Sequence, residues 1–136
     1  MSTIIRLILA VAALNALVPV AWGQQNITAV EIAQLPKPCW GQYQVPNVKG
    51  NEFAILDCGP AANHFCPALI YMLRARGNVK KQARLDLLGH ADVDIRYTEK
   101  AIADYPNCSI REDVANARAQ LNSLMNMYGL KRPRAK

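Results

Sequence analysis

Residues that do chemistry are scarce in this sequence. It holds two histidines, and after residue 23 its serines are Ser109 and Ser123. Gly-x-Ser-x-Gly is absent, which excludes the nucleophile elbow of serine hydrolases. Cys-x-x-Cys is absent, which excludes dithiol redox work and, with no following histidine, haem attachment. No two cysteines have the short gap of common structural zinc sites. Aromatics make up 7% of the chain and do not interleave with its basic residues, so the pattern for single-stranded nucleic acid is missing. No uninterrupted apolar run reaches the ~20 residues that a bilayer span needs.

The opening residues carry the strongest signal. Met1 to Arg6 is a short segment with one cation, Leu7 to Val20 is apolar, and Ala21-Trp22-Gly23 follows with small residues at its two ends. This is the three-part layout of a secretory leader, with Gln24 as the new N-terminus. An uncleaved membrane anchor is the competing reading, against which Asn15 and Pro19 interrupt the apolar stretch. The chain therefore divides into a leader, 1–23, one domain, 24–130, and a basic tail, 131–136. Without the leader 113 residues remain, enough for one modest core.

Cys39, Cys58, Cys66 and Cys108 give an even count in a short exported chain, which reads as two disulfides in a periplasmic or extracellular space. Three pairings are open. The preferred one joins Cys39 to Cys58, closing a hairpin, and Cys66 to Cys108, tying two helix starts together. A metal reading uses Cys58, His64, Cys66, His90 and Cys108, but oxidised cysteines do not ligate, so no metal or cofactor is assigned.

Periodicity predicts a mostly α fold: a small disulfide-stapled bundle of three main helices, a short N-terminal helix and a β-hairpin. Thr28-Ala-Val-Glu31 fits a capping box, and Pro36 and Pro38 end the helix it starts. Trp40 to Val45 and Phe53 to Leu56 flank a Pro46–Asn51 turn, the hairpin signal. Pro67 opens and Gly77 closes a helix that is apolar nearly all round. Asn78 caps the next, whose stripe runs Ala83, Leu87, Ala91, Ile95, Thr98, Ile102 and Tyr105. Gly89 and Asp92 leave one bent helix or two shorter ones open there. Ser109-Ile-Arg-Glu112 fits a second capping box, before a stripe of Ile110, Val114, Ala117, Leu121, Leu124 and Tyr128 that Gly129 closes.

Two short stretches resemble known families. Asn63-His64-Phe65-Cys66 resembles secreted phospholipase A2, but Phe65 stands where that family needs aspartate. Leu87-Leu-Gly-His-Ala-Asp-Val93 resembles the box near the nucleophile of tyrosine recombinases, but Tyr97 comes too early and an exported chain has no use for that reaction. Asn26-Ile-Thr28 and Asn107-Cys-Ser109 fit the N-glycosylation pattern.

No catalytic residue is assigned. The chain reads as an exported, non-enzymatic binding, inhibitor or immunity-type module with an unidentified protein partner. Its contact residues would be the aromatics Trp40, Tyr43 and Phe53 and the tail cations Lys131, Arg132 and Arg134. The full chain carries +6, and the tail adds a weak affinity for anionic surfaces. The alternative is a small secreted hydrolase using His64 with Asp57. Intact mass of the natural product tests the frame: it should begin at Gln24 and gain two hydrogens per bridge on reduction.

Overall fold

The computed structural model describes residues 26–43, 55 and 57–130. The segment expected to be a leader, most of the segment expected to form the hairpin, and the basic tail lie outside them. Five α-helices and one 3-10 turn follow in order: α1 Ala29–Ala33, α2 Lys37–Gln42, the 3-10 turn Pro60–His64, α3 Phe65–Arg76, α4 Lys81–Ile102 and α5 Arg111–Met127. Helix α4 packs along α3 on one side and α5 on the other, and the 3-10 turn lies against α4.

The first capping box forms as the sequence predicts. Glu31 N donates to Thr28 Oγ1 (3.2 Å), and Thr28 N donates to Glu31 Oε2 (2.8 Å). None of the residues of α1 is buried, so burial does not hold this short helix. Arg74 of α3 does, donating from Nε to Glu31 Oε1 at 2.6 Å and from Nη2 to both Glu31 Oε2 and the Asn26 carbonyl. These bonds hold the Glu31 carboxyl far below its usual range, at about 2.

The expected hairpin is not what the chain builds around Cys39. Trp40 and Gln42 lie in α2, and no strand occurs among the described residues. The prolines explain it. Pro36 and Pro38 close α1 but also fit a helix start, where a missing N–H costs nothing, and Pro36 is the N-cap of α2. The disulfide pairing changes with it. Cys39 on α2 bonds Cys66 in the first turn of α3, with Cα atoms 5.5 Å apart. Cys58 bonds Cys108, with Cα atoms 4.6 Å apart. The preferred pairing, Cys39–Cys58 with Cys66–Cys108, is thereby overturned.

Between Cys58 and the 3-10 turn, Gly59 has φ +74°, and a Cβ there would sit 2.6 Å from the Tyr105 ring. Both its conformation and the close approach require glycine. Beside this bridge, the second capping box does not form: Ile110, not Ser109, is the N-cap of α5 and makes no side-chain cap. Ser109 turns to Asp57 instead, donating from its backbone N at 2.8 Å and from its hydroxyl at 3.0 Å. A carboxylate distant in sequence outcompetes the local Glu112.

Helix α4 is continuous through Gly89, and Lys80 rather than Asn78 is its N-cap. Its buried face is Leu88, Ala91, Asp92, Ile95, Thr98 and Ile102, while Ala83 and Tyr105 are exposed. The predicted stripe was therefore right in its centre and wrong at both ends. The α5 stripe is as expected, with Tyr128 half-buried and Met125 added. Gly129 (φ +66°) closes α5: Leu130 N donates to Met125 O and Gly129 N to Asn126 O, a Schellman arrangement.

Two arginines repeat one device at the helix junctions. Arg84, early in α4, donates to the Ala75 and Gly77 carbonyls at the end of α3 and lies 4.2 Å over the Tyr128 ring. Arg111, first in α5, donates to the Ile102 and Tyr105 carbonyls at the end of α4. Each adds a second donor to carbonyls at a helix end: Gly77, Ile102 and Tyr105 also accept from the backbone N–H of Val79, Tyr105 and Cys108.

Asp92 is a carboxylate inside this core, with its side chain 4% exposed. It is charged without isolation because Arg118 of α5 and Arg96 of α4 both bond it, and Arg118 also forks onto both oxygens of Glu99. Removing one partner of a buried pair strands the other. Asp92→Ala should lower unfolding free energy by about 3 kcal/mol, and Glu99→Gln, at the exposed end of the network, by under about 1 kcal/mol; urea melts separate the two. Glu31 gives a second test. Its folded pKa lies below the unfolded value of 4.5, so its contribution is complete above pH 4.5 and disappears as pH falls toward about 2. Glu31→Gln should flatten that part of the melting temperature–pH curve.

Candidate functional site

Of the sequence-predicted contact residues, Trp40 and Tyr43 are described, and they lie together at α2. Trp40 sits half-buried on α2 and donates from Nε1 to the Leu35 carbonyl at 3.1 Å. Tyr43 follows α2 and packs against the same core. Burial, then the neighbouring Tyr71, pushes its phenol up to about 12. Both aromatics thus cover the core. Phe53, Lys131, Arg132 and Arg134 lie outside the described residues.

The histidines part from their expected company. His64 Nδ1 is 2.8 Å from Asp94 Oδ1 of α4, and its ring lies 4.4 Å from that of Tyr97. With Asp94 ionised, Nδ1–H is the donor and Nε2 is left as the basic nitrogen. Asp57 is held by Ser109, so the pairing of His64 with Asp57 is not present. His90 stacks on Tyr71 with ring centres 5.2 Å apart. All four cysteines are in bridges, and among the described residues no group of three His, Cys, Asp or Glu could hold a metal ion.

A concave site lies elsewhere, in a groove of about 280 Å³ between the α1–α2 junction, α3 and α5. Its floor is apolar, with Leu35, Phe65, Met72 and Ala117 at 7% exposure or less. Leu69 and Leu73 form one wall. The rim is polar: Gln34, Arg76, Asp113, Asn116 and Gln120. Arg76 Nη2 donates to Gln120 Oε1 at 3.0 Å, linking α3 to α5 across the groove. The volume falls just below the ~300 Å³ at which small-molecule pockets begin. It suits one apolar side chain ringed by hydrogen-bonding groups of both kinds.

Sequence reasoning missed this groove because its walls are remote in the chain. Each wall residue reads as an ordinary member of a helix stripe, and the groove exists only where α1 and α2 fail to cover the seam of α3 and α5. The Asp94 partner of His64 was missed for the same reason, although the spacing of Asp94 and Tyr97 puts them on one helix face. A second cavity of about 240 Å³ lies between Pro38, Gly41, Ile55 and Pro60 among others. Comparison with known proteins finds no matching family, no similar curated protein and no similar solved structure.

Proposed function

We infer that the chain is an exported, non-enzymatic binding module that receives an apolar side chain of a protein partner in the α3–α5 groove. The groove carries the reading: an apolar floor, a polar rim and a volume matched to one anchoring residue. Two buried disulfides support it by fixing the walls in advance, which lowers the entropy lost on binding. They also support export, since such bonds persist in oxidising compartments. The basic tail adds attraction to an acidic partner or surface, as its sequence suggests.

The hydrolase reading retains one observation, the His64–Asp94 pair. In it Asp94, not Asp57, would orient the imidazole. The two mature serines do not favour it, since Ser109 is bound to Asp57 and Ser123 is on α5.

Asn116 is exposed on the rim, so Asn116→Trp should fill the groove mouth without disturbing the core. The mature, disulfide-intact chain should capture a partner from the extracytoplasmic fraction of its host. The variant should keep its melting temperature and lose at least about tenfold in affinity, as loss of one buried anchor implies. Equal capture by both proteins would remove the groove from the reading, and turnover that His64→Ala abolishes would replace it with the hydrolase.

A further inference from the structure

Helix α4 presents an outward stripe that packing among the described residues does not explain. Its core residues face α3 and α5. Diametrically opposite lie Val93 and Tyr97, 57% and 52% exposed, two of the large apolar side chains the fold leaves in solvent. On the same stripe is Gly89. A mid-helix glycine weakens a helix and is usually kept for close approach. Here a Cβ would meet nothing within 4 Å, so no neighbour among the described residues asks for its absence. Asp86 and Lys100, both exposed, complete the stripe. At about 100° per residue these five positions fall within about 40° of one line along the helix.

The order of the stripe is its own complement. Turned about a two-fold axis at Val93, Tyr97 meets Gly89 and Asp86 meets Lys100. We propose that α4 is a homodimer interface: two copies lay their α4 stripes antiparallel across Val93, the Tyr97 ring of each over Gly89 of the other, with Asp86 of each beside Lys100 of the other. Such a two-fold contact is isologous, so every interaction occurs twice. The charges cannot be satisfying each other within one chain, because their positions are about 21 Å apart along the helix. Arg96, on one flank, is already paired with Asp92 of its own chain at 2.8 Å and adds little net charge. The Tyr97 ring rests against His64 on the other flank, which fixes its direction. One pair of helices buries less than the ~1,200 Å² of standard interfaces, so the dimer is weak and reversible. This face is distinct from the groove between α3 and α5, so the dimer does not depend on the binding reading.

Sedimentation of the mature, oxidised chain at low ionic strength tests it. The natural sequence should show concentration-dependent dimers. Asp86→Lys and Lys100→Asp, each alone, set like charges opposite one another twice and should weaken association by about tenfold or more. An equimolar mixture of these two variants should restore the dimer, since every facing pair is again opposite in charge. Gly89→Ala should raise the melting temperature of dilute protein by about 4 °C, and Gly89→Leu should abolish association without lowering that temperature. A natural chain that stays monomeric at all concentrations, charge reversals without effect, or a mixture no more associated than its components would each overturn the proposal.

Discussion

Two sulfur–sulfur bonds hold together what burial alone does not. The first described helix buries none of its residues, and the second buries Cys39 alone. Helices this short do not persist in water by propensity. The Cys39–Cys66 bridge fastens α2 to the start of α3, and Cys58–Cys108 fastens the approach to α3 onto the approach to α5. They close 27- and 50-residue separations, and loops of that size are worth about 3–4 kcal/mol each by the chain-entropy estimate. For a domain whose whole margin is about 5–15 kcal/mol, that is a large part of the stability.

The polar interactions work to the same end at different depths. Arg84 and Arg111 each close the helix before their own, so the two turns between the long helices are set by guanidinium–carbonyl bonds as well as by packing. Arg74 and Glu31 hold α1 at the surface. The Asp92–Arg118–Glu99 set lies deeper and fixes α5 against α4 in one register, because a slip would leave a charge buried without its partner. The groove is a by-product of this arrangement. With α2 pinned at Cys39, the α1–α2 junction reaches the seam of α3 and α5 at Leu35 but does not fill it.

Helix content, the α5 stripe and its glycine cap, and the glycine end of α3 were legible because each is set by neighbours within a few residues; α3 itself starts at Phe65, before the proline that marked it. The capping box at Thr28 is of that kind. The one at Ser109 has the same local pattern and yet fails, because Asp57 reaches Ser109 from across the Cys58–Cys108 bridge. In α4 the apolar residues located the core face near Ala91 and Ile95. They could not announce Asp92, whose burial depends on an arginine supplied by another helix.

By itself, the sequence determined a mostly helical chain with an even cysteine count and the glycine-marked ends of its two best-punctuated helices. These follow from local sterics, from backbone groups that need partners, and from an apolar period that matches the helix. Tertiary structure alone decided which cysteines join, whether prolines end a helix or begin one, which carboxylate His64 faces, and where a concavity remains. Those outcomes depend on distances between residues far apart in the chain, and they are fixed when the helices pack.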